Sequence, residues 1–205
     1  MKLMIDLDRV VFDCPSLTFS IGNAFCIKKY KDKKLSYAKI NKQSALKAAN
    51  NLFFLKMSHP ENFTPIKGAV ESLKRLKQAG HEIHFVSSRP NFKAFQKATV
   101  EWFDMHGIDY NSLIFACSNK AKYGELHGLE IAIDDTFAHC YGSMQKGMNA
   151  IWLINAYNYK NYYNMPPKMH LACDWFDIEQ SVKTIQKSLE KEQHKIQEAF
   201  VNASK

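Results

Sequence analysis

At 205 residues, 46% hydrophobic and 23% charged, the chain suits one globular domain with a modest insertion, and its composition excludes a disordered, collagenous or fibrous protein. No apolar run approaches a membrane span, the first residues do not form a secretory signal, and five scattered cysteines without a CxxC pair predict a reduced, cytoplasmic protein. The formal net charge of +8, dense between Lys28 and Lys34, favours anionic partners, but without an RNP pattern or zinc-finger spacing nucleic acid is an unlikely ligand.

Lys2 to Ile5 reads as a buried strand that ends on an acidic pair, Asp6 and Asp8. Residues 14–63 lack strand alternation and are rich in Lys, Asn, Ala and Ser. Ser36 to Leu55 has helical character, and His59-Pro60 breaks it, so the stretch is predicted to be an inserted helical unit. Thr64 and Pro65 then look like the cap and first position of a helix whose apolar stripe is Val70, Leu73 and Leu76 and whose stop is Gly80.

Further along, Ile83 to Val86 is a predicted strand ending at Ser87, and Phe92 to His106 a helix ended by Gly107. Leu113 to Ala116 is a strand, Ala121 to His127 a short helix, and Ile131 to Ile133 a strand running into Asp134 and Asp135. Ala150 to Ile154 is a further strand. The charged tail keeps a helical stripe of Val182, Ile185, Leu189, Ile196 and Phe200, which predicts a docked C-terminal helix with last turns that fray or meet another subunit of a homo-oligomer.

Alternating strands and helices imply an α/β fold with a parallel sheet and crossover helices, in which ligands bind beyond the carboxyl ends of the strands. Asp6, Asp8, Ser87, Asp134 and Asp135 all share that address. Two acids at i and i+2 can divide labour: one attacks phosphorus, the other protonates the leaving oxygen and then activates water. Asp6 and Asp135, with a backbone carbonyl at Asp8, offer hard oxygen ligands of the kind magnesium takes. A lysine and Ser87 can hold the transferring group. Each piece alone is weak, since a DxD is common in loops and a DD pair often caps a helix.

Other features carry less. His81 and His84 stand at i and i+3 on a strand, on opposite faces, and cannot share an ion. Tyr157, Tyr159, Tyr162 and Tyr163 could stack on a base, although such tyrosines more often cover a loop.

The segment Met4-Ile5-Asp6-Leu7-Asp8-Arg9-Val10-Val11 resembles the first motif of the haloacid dehalogenase (HAD) superfamily, and Phe85-Val86-Ser87-Ser88-Arg89-Pro90 resembles the second. Lys120 stands in the third-motif position, with Lys122 as runner-up, and Ile131-Ala132-Ile133-Asp134-Asp135 resembles the fourth. The resemblance implies a Rossmann-like HAD core formed by residues 1–13 and 64–182 and a small helical cap at 14–63; the C-terminal helix, placed at 183–205, rests on the stripe of the tail alone. The resemblance implies Asp6 as nucleophile, Asp8 as acid/base, and Ser87 and Lys120 as phosphate-binding groups. It also implies a Mg2+ site built from Asp6, Asp8, Asp135 and Asp134, with Asp135 the better direct ligand. A second Asp, as at Asp8, marks the phosphatases and phosphotransferases of the superfamily.

The strings "SSRP", "EIAIDD" and "IWLINAYNYK" are similar to a group of bacterial nucleotidases related to the 5'-(3')-deoxyribonucleotidases. The expected substrate is therefore a small phosphorylated molecule, a nucleoside monophosphate first and a sugar phosphate as the alternative. Arg89 could bind substrate phosphate, fix the cap or be a structural ion pair. Arg9 replaces the family's usual Gly, small or acidic residue, so it could contact substrate, narrow the site or mark a degenerate HAD fold that only binds a partner.

Overall fold

The computed structural model describes residues 1–13, 58–155, 158, 166 and 169–203. The insertion expected at 14–63 falls almost wholly outside these residues, as do Cys14, Cys26, Tyr157, Tyr159, Tyr162 and Tyr163. The chain begins with β1 (Lys2–Ile5), and a two-residue strand β2 (Phe12–Asp13) follows. After a 3-10 turn at Pro60–Asn62 come β3 (Thr64–Pro65), α1 (Ala69–Gln78), β4 (Glu82–Val86) and α2 (Lys93–His106). Then follow β5 (Ser112–Ile114), α3 (Lys120–Leu126), β6 (Ile131–Asp134) and α4 (Phe137–Gln145). The described chain closes with β7 (Asn149–Leu153), β8 (Met169–Ala172) and the long α5 (Trp175–Ala203).

Six strands form one parallel sheet in the order β5-β4-β1-β6-β7-β8. The central strands are almost wholly apolar because both faces are covered. Side chains alternate between faces. Leu3, Ile5, Ile83, Phe85, Ile131, Ile133 and Ile151 share one core with Leu73, Trp102, Phe103, Ile178 and Val182 of α1, α2 and α5. Met4, Val86, Ala132, Ala150 and Trp152 face the other way, where α3 and α4 pack. The result is the expected three-layer α/β architecture.

The order places β1 between two directions of growth, with β4 and β5 on one side and β6, β7 and β8 on the other. Such a switch point opens a crevice at the carboxyl ends of the central strands. Among the described helices, none is long and apolar enough to cross a membrane.

Thr64 and Pro65 depart from expectation. They do not start a helix; they pair antiparallel with Phe12 and Asp13. The capping signal loses to this ribbon, where Ile66 also donates its N–H to the Val11 carbonyl at 2.9 Å. Pro65 is tolerated because a two-residue edge strand has little ladder to interrupt. The helix starts only after Gly68, whose φ of 84° turns the chain into α1. The ribbon β2–β3, the helix α4 and the strand β8 are elements that the sequence patterns did not mark.

Candidate active site

Three adjacent strand ends build the site. β1 ends into Asp6, whose N–H donates to the Ile133 carbonyl of β6 at 3.0 Å. β4 runs into Ser87, which is buried and donates its N–H to the Ile114 carbonyl of β5. β6 ends at Asp134, with Asp135 next, and both are buried. The loop after β1 turns back sharply, with Val11 and Phe12 both donating N–H groups to the Leu7 carbonyl at 2.9 Å. Within it Arg9 takes a left-handed φ of 62°, an uncommon state for a residue with a side chain.

Lys120, at the start of α3, is buried between two carboxylates. Its Nζ lies 2.6 Å from Asp6 Oδ1 and 2.8 Å from Asp134 Oδ2. Asn119 caps the same helix by accepting the Lys122 N–H at 3.0 Å, which directs the Lys120 side chain inward. Of the two candidate lysines, Lys120 is the one that meets both carboxylates. Asp134 is held on all sides, since Oδ1 accepts the Thr136 N–H at 2.8 Å and Oδ2 also meets His139 Nδ1 at 3.1 Å. Asp135 Oδ2 pairs with Arg9 Nε at 3.0 Å, and its Oδ1 accepts the Thr136 hydroxyl at 3.3 Å. The Asp135 carbonyl accepts from Trp152 Nε1 and Asn158 Nδ2.

Burial pushes the Asp6 carboxyl up to about 7, with Asp134 and Asp8 adding to the rise and Lys120 opposing it. Burial by itself would lower Lys120, but the carboxylates of Asp6 and Asp134 raise it above its ordinary value. Asp134 is held low: burial works against this, and hydrogen bonding to His139 and the charge of Lys120 outweigh it. The hydrogen bond to Asp134 raises His139 in turn.

One oxygen from each of Asp6, Asp134 and Asp135 falls within a 4.8 Å group. Three buried carboxylates suit a hard cation, and a cation there would offset the burial that raises Asp6. Asp134 already shares its oxygens with Thr136, Lys120 and His139, which leaves Asp6 and Asp135 as the better direct ligands. The Asp8 carboxylate is not part of that group.

Arg89 forms an ion pair, one of the roles expected for it, and its partner is Asp8. Its Nε and Nη2 lie 2.8 and 2.6 Å from Asp8 Oδ2 and Oδ1. Nη1 reaches Thr99 Oγ1 at 3.3 Å, and the guanidinium lies 4.8 and 5.1 Å from the ring centres of Phe12 and Phe63. Ser87 Oγ accepts the Arg89 N–H at 3.2 Å, which ties the two together at the end of β4.

The sequence profile of the family described as 5' nucleotidase, deoxy (pyrimidine), cytosolic type C protein matches residues 1–186. The chain belongs to this family. It is thereby a HAD-type phosphatase, as the four motifs implied. No curated protein sequence matches significantly. Among solved structures the chain resembles a haloacid dehalogenase-like hydrolase from Streptococcus pneumoniae, with TM-score 0.61 and 14% identity over 88% of this chain and 97% of that one. It also resembles a D,D-heptose 1,7-bisphosphate phosphatase from B. bronchiseptica, complexed with magnesium and phosphate, with TM-score 0.56 and 12% identity over 90% and 99% of the two chains. A HAD hydrolase from Entamoeba histolytica gives TM-score 0.58 and 15% identity over 86% and 94%. At these identities the likeness is one of fold.

Sequence reasoning missed His139, Thr136 and Thr99. The signal for His139 was present as a histidine shortly after the Asp134-Asp135 pair, but only a helix there brings it back onto Asp134. Thr99 lies inside α2, a turn and more from any motif, and nothing local marks it.

Proposed function

We propose that the chain hydrolyses the phosphate monoester of a nucleoside monophosphate through an aspartyl-phosphate on Asp6, with Mg2+ bound by Asp6 and Asp135. The observation that carries the reading is Lys120 Nζ set 2.6 Å from Asp6 and 2.8 Å from Asp134, at strand ends that also hold Ser87 and Asp135. The family description supports the nucleotide as substrate and a cytosolic location.

In the first step an Asp6 oxygen attacks phosphorus, the bond from phosphorus to the leaving oxygen breaks, and Asp8 gives that oxygen a proton. In the second, Asp8 takes a proton from water, the water oxygen attacks phosphorus, and the bond to Asp6 breaks to release inorganic phosphate. Lys120 offsets negative charge beside Asp6 throughout, and Ser87 donates its hydroxyl to the phosphoryl group. Thr136 and His139 fix Asp134, which fixes Lys120. Arg89 holds Asp8. A bound magnesium ion supplies positive charge where the transferring group gathers its negative charge. Selection among substrates belongs to the stretch at 14–63 in this reading.

The test is a screen of phosphate release from nucleoside monophosphates, deoxy forms included, alongside sugar phosphates, with magnesium present. Preference for a nucleotide supports the proposal. Preference for a sugar phosphate retains the chemistry and rejects the substrate, and no release from any ester rejects both.

A further inference from the structure

Each carboxylate of the site has a cationic partner within the protein. Lys120 bridges Asp6 and Asp134, His139 adds to Asp134, Arg89 holds Asp8, and Arg9 holds Asp135. Arg9 differs from Lys120 and Arg89, and His139, 34% exposed, sits on Asp134 rather than on Asp135. The side chains of Lys120 and Arg89 are 2% and 1% exposed, whereas that of Arg9 is 38% exposed. Its backbone is pinned, with its N–H on the Phe12 carbonyl at 2.7 Å, but its guanidinium reaches Asp135 from the solvent side at the end of a flexible stem.

A divalent ion on Asp6 and Asp135 would share an oxygen cluster with this guanidinium. Two cations on one buried carboxylate repel, and the half-exposed, long side chain is the one able to leave. We propose that Arg9 is a tethered counter-ion of the metal-free site, which competes with the metal for Asp135 and is displaced into solvent when the metal binds. The inference rests on Asp6 and Asp135 being the metal ligands. It makes Arg9 a determinant of metal affinity rather than a substrate contact or a block.

Magnesium binding to the full chain, stripped with EDTA and dialysed, can be read by titration calorimetry at fixed ionic strength. Arg9→Gln removes the competitor and should bind magnesium on the order of tenfold more tightly than the wild type. Arg9→Lys keeps the charge but loses the Nε contact and should fall between the two. In thermal melting, metal-free Arg9→Gln should melt below the wild type because Asp135 loses its partner, and saturating magnesium should raise it by more than it raises the wild type. Equal or weaker binding by Arg9→Gln, with Arg9→Lys unchanged, overturns the proposal while the metal site stands. Asp135→Asn separates the two failures: if it binds magnesium like the wild type, the ligand assignment falls and takes the Arg9 proposal with it.

Discussion

Arg89 grips Asp8 with two parallel contacts of 2.8 and 2.6 Å, from a guanidinium that is almost fully buried. A fork of this kind fixes the carboxylate in position and in plane, which a lysine cannot do. Arg89→Lys should therefore lower kcat by roughly 10- to 100-fold, the scale of losing acid–base placement, and change KM little. Steady-state kinetics on the best substrate decides the matter. A raised KM with normal kcat would return Arg89 to substrate binding, one of the roles that its position after the second motif left open.

Asp8 and Asp6 should fail in different ways. With p-nitrophenyl phosphate, whose leaving group needs little protonation, Asp8→Asn should give a burst of nitrophenol and then turn over about 10² to 10⁴ times more slowly than the wild type. Asp6→Asn should give no burst. Mass spectrometry of acid-quenched protein reports the adduct directly, expected on Asp6 in the Asp8 variant. Near-normal turnover in Asp8→Asn is the result that removes it from the mechanism.

Chelation tests the oxygen cluster. Activity should disappear with EDTA and return when magnesium is added in excess, because Asp6 and Asp135 are oxygen donors suited to that ion. Full turnover in chelated buffer contradicts the site assignment.

A separate ion pair governs acid stability. Glu179 of α5 accepts the Ser72 hydroxyl and Arg75 Nη2 of α1, both at 2.5 Å. Burial alone would raise its carboxyl, but the hydrogen bonds from Arg75 and Ser72 hold it below its ordinary value of 4.5. The folded state thus favours the ionised form. The stabilisation is fully present above 4.5 and is lost as pH falls through the lowered folded value. Glu179→Gln should cost about 1 kcal/mol at neutral pH, or roughly 2–4 °C in Tm. Melting curves in a pH series should show that gap closing below 4.5. A gap independent of pH would mean that shape, not charge, is what Glu179 contributes.

Gly124 in α3 tests packing beneath the site. A Cβ there would lie 2.5 Å from the Met148 sulfur and 2.7 Å from its methyl carbon. Met148 is a flexible side chain, but it is buried and has little room to retreat. Gly124→Ala should destabilise by about 1–3 kcal/mol, read by denaturant unfolding, despite the better helix propensity of alanine. A gain in stability would show that Met148 repacks freely.

Much of the fold was legible because parallel strands buried on both faces leave plain apolar runs, as at Lys2–Ile5 and Ile131–Asp134. α2 was legible through its apolar face and the Gly107 stop. α4 was not, since it is short, carries Gly142 inside it and has no side-chain cap bond at Thr136. Thr64-Pro65 misled because a local capping signal cannot register a strand partner fifty residues back in the chain. In the site, the carboxylates and Ser87 could be placed because each follows a strand, whereas Lys120 was marked by the resemblance to the third motif. The partners that hold them could not: Arg9 on Asp135 and His139 on Asp134 depend on how the loop after β1 and the helix α4 fold back.

Trp175, the first residue of α5, donates its indole N–H to the Val10 carbonyl at 2.8 Å. The turn that carries Asp6 and Asp8 is therefore completed by a residue made 165 positions later. While the chain is being synthesised, this contact waits for the start of α5. Fragments that end before this tryptophan should hold every motif residue and still lack a finished catalytic loop.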